Sequence, residues 1–144
     1  MGICNVVGGN MTTNYNSIGG ITLTEGGASA ISFRGISNEA GSSFTWNCRH
    51  NTIGGNVPAS IQNNSITSSN VIVGLNVSQT QSFIDSNMVR NLKGAQHIGI
   101  SINGGSGHLL RHNEIYNLQN NVTESYAIFL INLPATSNTL VEGN

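Results

Sequence analysis

Residues 82–92 read SFIDSNMVRNL, and residues 108–118 read HLLRHNEIYNL. Both place an apolar residue three positions before an asparagine, a charge two before it, and an apolar residue two after it. The phrase recurs as WNCRHNTIGGN at 46–56, and in shorter form as CNVVGGN at 4–10 and TLVEGN at 139–144. Aligning the asparagines gives Asn5, Asn51, Asn87, Asn113 and Asn144, at intervals of 46, 36, 26 and 31 residues. Three positions before the anchor stand Cys48, Ile84, Leu110 and Val141. Two positions after it stand Val7, Ile53, Val89 and Ile115. Five positions after it Leu92 and Leu118 agree, whereas Asn10 and Asn56 do not.

A second phrase lies between the anchors: VIVGLNV (71–77), HIGISI (97–102) and YAIFLI (126–131), with AISFRGI (30–36) as a less regular version. Val73, Leu75 and Val77 align with Ile98, Ile100 and Ile102, and with Tyr126, Ile128 and Leu130. Alternation with period two is the signature of a strand with one buried face. Gly, Asn and Ser separate the segments, as turns require. No stretch combines helical periodicity with helix caps. Fixed phrasing at irregular intervals predicts strands stacked in register, with connecting loops of variable length. The expected fold is therefore all-β: a right-handed parallel β-helix (a solenoid) of about four to five rungs. It is read as a single domain over 1–144, with 1–43 less regular and 44–144 carrying the clear repeats. The phrase that breaks off at TLVEGN predicts a segment of a longer solenoid, or ends that pair with another chain.

Stacked rungs lie about 4.8 Å apart. The apolar columns then become buried ladders, and the anchor asparagines an inward, mutually bonded ladder. Two positions before the anchor stand Arg49, Asp85, Arg111 and Glu142, an outward column of alternating sign that avoids like-charge neighbours. Cys4 is offset by two positions from Cys48, which predicts two free thiols, with Cys48 acting as a small apolar residue.

Composition narrows the function. Only 8% of the 144 residues are charged and the formal net charge is −1. Five Lys and Arg without a basic run cannot track a phosphate backbone, so nucleic acid is excluded as an expected partner. No apolar run approaches a membrane-spanning helix, and MGICNVVGGN is not a secretory signal.

No catalytic, metal or cofactor residues are assigned from the sequence. Asp85 is the single aspartate; Glu25, Glu39, Glu114, Glu124 and Glu142 complete the acids, too sparse for a calcium site. Glu114 and Glu142 are the nearest approach to a hydrolytic carboxylate pair, expected about 11 Å apart and so outside the working range. His50 and His112 share a column two rungs apart, too far to share zinc, and His50, His97, His108 and His112 read as surface or turn histidines. The pairs Gly8–Gly9, Gly54–Gly55 and Gly104–Gly105 do not lead from a strand into a helix, which removes the phosphate-loop reading. Trp46, Tyr116 and Phe129 are candidates for an outward aromatic surface for a glycan, with Arg34 or Arg111 assisting.

The phrasing N-x-I-x-N-L followed by a Gly-Ile strand resembles the repeat of pectin-lyase-like parallel β-helix proteins. HNTIGGNVPASIQ, with NVIVGLNV and DSNMVRNL after it, is similar to Asn-rich repeats in large proteins exported by the bacterial type IX secretion system. The resemblance covers most of 44–144 and, more weakly, 1–43. It implies a secreted or cell-surface module and carries no activity with it. The expected function is a non-enzymatic structural or adhesive module that meets a polysaccharide or another surface protein. The alternatives are a polysaccharide lyase or glycoside hydrolase with residues supplied from elsewhere, and a filament subunit stacking end to end.

Overall fold

A computed structural model describes residues 1–24, 31–41, 43–64, 70–78, 81–120 and 124–144. Glu25 and Ala30 lie outside the described residues. Among the described residues every regular element is a β-strand. In chain order these are β1 (Ile3–Asn5), β2 (Met11–Asn14), β3 (Ser17–Ile18), β4 (Ile21–Leu23), β5 (Phe33–Asn38), β6 (Thr45–Arg49), β7 (Thr52–Ile53) and β8 (Ile61–Asn63). They continue as β9 (Val71–Ser78), β10 (Gln81–Asp85), β11 (Met88–Gly94), β12 (Gln96–Asn103), β13 (Leu109–Arg111), β14 (Glu114–Asn120), β15 (Ser125–Ile131) and β16 (Leu140–Glu142).

The strands form three sheets, and every pairing described is parallel. The first sheet runs β1-β5-β9-β12-β15 and the second β2-β6-β10-β13-β16. In the third, β11 pairs with β14 on one edge and with β7 and β8 on the other, and β3 and β4 continue beyond β7 and β8. The chain enters the first, second and third sheets in succession and then returns to the first. Parallel strands cannot be joined by a hairpin; here each crossover is made of the strands of the other two sheets. The arrangement is compatible with a parallel β-helix.

One core serves all three sheets. Ile36, Leu75 and Ile100 from the first, Trp46, Cys48, Ile84 and Leu110 from the second, and Ile53, Ile61, Val89 and Leu92 from the third are all fully buried in one cluster. The apolar columns of the sequence are thus buried at Cys48–Ile84–Leu110 and at Ile53–Val89, whereas Ile115, opposite Val89, is only partly buried and Val141, opposite Leu110, is 41% exposed. The fifth-position column is completed by Ile61, which the longer 54–60 connection moves out of numerical step but which pairs with Leu92.

The asparagine ladder needs one correction. Asn51, Asn87, Asn113 and Asn144 form it, but Asn5 does not: it ends β1 in the first sheet, opposite Asn38, and Val7 is 76% exposed. Asn16 takes the first place, and Ile18 stands opposite Ile53. The main-chain N–H and the Nδ2 of Asn16 both donate to Asn51 Oδ1, at 3.0 and 2.9 Å. The same double donation links Asn51 to Asn87 (3.0 and 2.9 Å), Asn87 to Asn113 (3.1 and 2.9 Å) and Asn113 to Asn144 (3.0 and 2.7 Å). Each Nδ2 from Asn51 onward also donates to a carbonyl on the preceding strand of the second sheet: those of Thr13, Cys48, Ile84 and Leu110 in turn, at 2.8 to 3.0 Å. The residue before each anchor turns the corner with positive φ: Tyr15 at 58°, His50 at 54°, Ser86 at 56° and His112 at 52°. That strain is tolerable for single residues at a corner whose bonds are otherwise complete.

The first sheet shows the expected register: Val73, Leu75 and Val77 oppose Ile98, Ile100 and Ile102, which oppose Tyr126, Ile128 and Leu130. Its facing differs from a simple alternation. A Cβ on Gly99 would stand 2.5 Å from the Ala127 carbonyl oxygen and 2.6 Å from Ile115 Cγ2, and one on Gly74 would meet the Gly99 oxygen and Val89 Cγ1, both at 2.6 Å. These glycines therefore point at the core, directly before the inward Leu75 and Ile100. Two consecutive inward positions shift the parity, so Ile72 and His97 are buried within, while Val73 and Ile98 line a groove on the outer face.

Both cysteines are free. Cys4 lies in the first sheet opposite Ser37, not in the sheet of Cys48. Burial pushes the Cys48 thiol up to about 12 against the weaker opposing bonds from Thr13 and Asn51, so it packs as an inert apolar group.

Candidate binding surface

The outer face of the first sheet carries two columns that run across the strands. Arg34, Val73, Ile98 and Tyr126 form one; Ser37, Asn76, Ser101 and Phe129 form the other. Between them lies a groove of about 320 Å³, lined among others by Arg34, Val73, Asn76, Ile98, Ser101 and Phe129. Four strands set its length at about 14 Å, three inter-strand spacings. Its two ends differ in chemistry. At one, the Arg34 guanidinium bonds to Glu39, which also accepts from Ser37 Oγ at 3.0 Å. At the other, the Tyr126 and Phe129 rings pack with centroids 4.8 Å apart, tilted by 42°. Asn76 Nδ2 donates to Ser37 Oγ at 2.9 Å in between.

Asn103, at the end of β12, borders both this groove and a larger pocket of about 670 Å³ at the corner between the first and second sheets. Gln81, Asn103, Asn132, Asn138, Ser106, Pro134 and the glycines of 104–107 line the pocket. Gly104, Gly105 and Gly107 all have positive φ (75°, 76° and 70°), which lets the turn fold back without side chains. His108 lies under this turn. Its Nε2 meets the Gly104 carbonyl at 3.0 Å and its Nδ1 the Ser82 Oγ at 2.8 Å. A carbonyl only accepts, so Nε2 carries the proton and Ser82 donates to Nδ1. Burial lowers the His108 pKa against the opposing carbonyls of Gly104 and Gly105, which favours that neutral form.

Of the aromatic residues expected outside, Phe129 borders the groove, and Tyr116 is 43% exposed on the third sheet, where Arg90 Nη1 donates to its hydroxyl at 2.8 Å. Trp46 is the exception: it is fully buried, with its Nε1 donating to Thr13 Oγ1 at 2.9 Å. Arg34 lies in the groove, whereas Arg111 stands on the second sheet.

The charged column has the expected register, with Asp85 opposite both Arg49 and Arg111, and Arg111 opposite Glu142. Arg111 Nε and His112 Nδ1 reach Asp85 Oδ1 at 3.2 and 3.1 Å. Burial alone would raise the Asp85 pKa, but the His112 hydrogen bond and the Arg111 charge outweigh it and hold the carboxyl below its ordinary value.

His50 stacks on Tyr15 at the corner, with ring centroids 5.0 Å apart. His97 and His108, expected at the surface or in turns, are instead buried. Among the described residues no three His, Cys, Asp or Glu side chains converge to hold a metal ion. Glu114 opens β14 in the third sheet and Glu142 ends β16 in the second, so the two carboxylates do not share a face. No helix of the described residues is long and apolar enough to cross a membrane.

The described residues thus form an all-β arrangement of parallel sheets, with a groove of mixed apolar and polar side chains on the outer face of the first sheet. Compared with known protein families, curated proteins and solved structures, the chain matches none of them.

Proposed function

We propose that the chain is a right-handed parallel β-helix of about four to five rungs that serves as a non-enzymatic adhesive module of a secreted or cell-surface bacterial protein, and that the outer face of its first sheet holds a glycan. Right-handedness follows the general rule for parallel crossovers. The resemblance of HNTIGGNVPASIQ and its neighbours to repeats of type IX-exported proteins supports the location. One observation supports the ligand: a groove across four strands brings the Phe129 ring, which packs on Tyr126 beside it, to a row of Ser and Asn side chains. Aromatic faces pack against the C–H faces of a sugar, while amides and hydroxyls match its hydroxyls as both donors and acceptors.

Amide chemical-shift titration with trisaccharides tests this. Shifts are expected to cluster on 71–76, 98–103 and 126–131, with affinity falling about tenfold in Phe129→Ala, the loss of one aromatic contact of about 1.4 kcal/mol. Saccharides that leave these amides unmoved, while a protein partner moves them, would overturn the glycan reading.

A further inference from the structure

Resting on that reading, we infer that the corner pocket of Gln81, Asn103, Asn132 and Asn138 is a second, separate subsite, and that it takes the terminal unit of a neutral saccharide and not a uronate or sulfated sugar. Every residue lining the pocket is uncharged: four carboxamides, one serine, one proline and three glycines. A carboxylate or sulfate entering it would lose hydration with no cation to replace the lost water. A neutral sugar faces no such penalty, and each carboxamide offers it one acceptor and two donors.

The polar groups are held in place. Asn132 Nδ2 donates to Asn103 Oδ1 at 3.0 Å and Gln81 Nε2 to the Gly107 carbonyl at 3.3 Å. The glycine turn is tied to β15 through Gly104 N–H to the Ile131 oxygen at 2.9 Å, and is supported from below by His108. The opposite wall, 132–139, is braced by Ser137 N–H to the Pro134 oxygen at 2.8 Å and by the Ser137–Thr139 hydroxyl contact at 2.7 Å. Ser106 and Asn138 have side chains with no hydrogen bond to another described residue, so they are free to bond a ligand. Pro134 adds an apolar surface, and about 670 Å³ lies in the usual range for a ligand site. Asn103 joins pocket and groove, so one oligosaccharide can lie along the groove with its end in the pocket.

The test is an amide chemical-shift titration of the whole chain with a neutral hexose trisaccharide and with its uronate counterpart. It uses the unaltered protein, Phe129→Ala, and the double variant Ser106→Leu with Asn138→Leu, both of whose sites are exposed. The neutral sugar is expected to shift Gly104, Gly105, Gly107 and Asn138 and to bind at least tenfold more tightly than the uronate. The double variant is expected to lose the Gly104–Gly107 shifts while retaining those at Ile128–Ile131; Phe129→Ala is expected to do the reverse. Shifts confined to the groove and indifferent to the double variant would overturn the pocket and leave the groove standing. Equal or tighter uronate binding at Gly104–Gly107 would overturn the neutral specificity. Silence of both regions to both sugars would overturn the subsite and the glycan reading together.

Discussion

Asn87 is buried, and its side chain is bonded on every side. Its Nδ2 donates to the Cys48 carbonyl and to Asn113 Oδ1, and its Oδ1 accepts from the Asn51 main chain and side chain. Replacing it by Ala leaves these partners unsatisfied in a site water cannot reach, at about 2–4 kcal/mol. Asn16 is only partly buried, so water can restore some of its bonds, and Asn16→Ala is expected to cost about 1 kcal/mol. Urea unfolding of the two variants checks the ranking; equal losses would show that the ladder is not what holds this corner. His97 makes a second residue-scale prediction. It is fully buried, with Nδ1 on Ser125 Oγ at 3.2 Å. Burial lowers its pKa from 6.5 to about 4, the Lys93 carbonyl offsetting only part of this. The unfolded chain therefore binds the proton first. The His97 contribution is fully present above pH 6.5 and is lost as pH falls towards 4, below which the loss levels off, about 3 kcal/mol in all. Burial of His108 acts in the same direction. Unfolding free energies of the protein and of His97→Gln between pH 4 and pH 7 are expected to diverge in slope, the variant being flatter.

At the scale of the strand, the charged column and the glycine bend make opposite predictions. Asp85 stands between Arg49 and Arg111 in adjacent strands and bonds Arg111 and His112. These cationic partners are substantially solvent-exposed, so Asp85→Lys is expected to lower stability by only about 1–2 kcal/mol, less in high salt. Gly99→Ala, by contrast, forces a methyl against the Ala127 carbonyl and Ile115, both fixed by the sheets, and is expected to cost about 3 kcal/mol or more. Thermal melts at low and high salt separate the two, since only the first responds to ions. The same elements show what the sequence makes legible. The register of 71–77, 97–102 and 126–131 and the columns around Asn51 through Asn144 can be read because stacking repeats their chemistry. The first rung cannot be read by apolar matching, because Thr13 and Asn14 occupy the places that Cys48 and Arg49 hold in the next strand. The spacing from Asn16 to Asn51, 35 residues, against 36 for the next interval, is the signal that would have replaced Asn5. Trp46 and His108 were open to the alternation rule itself: each stands two residues before a core residue, Cys48 or Leu110, and so shares its face. The inward placement of His97 was not open to it, because only close approach of neighbouring backbones at Gly74 and Gly99 reveals the change of parity. The pocket likewise depends on loops 104–107 and 132–139, whose meeting is set by the stacking and not by any phrase in either.

For the whole molecule, the connections differ sharply in what they tolerate. Asp85–Ser86–Asn87–Met88 joins the second sheet to the third with two residues, and its counterparts at Asn51 and Asn113 are the same length. The joins from the first sheet to the second vary: 104–108 separates β12 from β13, whereas 132–139 separates β15 from β16. Within the third sheet, 54–60 separates β7 from β8 where β11 runs unbroken. A loop that leaves strand register unchanged costs only its closure entropy, about 0.6 kcal/mol per doubling of length. A residue added at the short corner instead displaces an anchor from both neighbours and moves the following strand by one position, turning its core residues outward. Inserting a single glycine between Val57, which is 64% exposed, and Pro58 is therefore expected to cost under about 1 kcal/mol. The same insertion between Ser86 and Asn87 is expected to abolish cooperative folding, since it breaks the ladder between Asn51 and Asn113 and misaligns β11 with β7, β8 and β14. Circular dichroism and urea unfolding of the two insertion variants decide it. A folded Ser86–Asn87 variant of near-native stability would mean that the three sheets hold their register without the asparagine corner, and that the ladder follows from the stacking instead of fixing it.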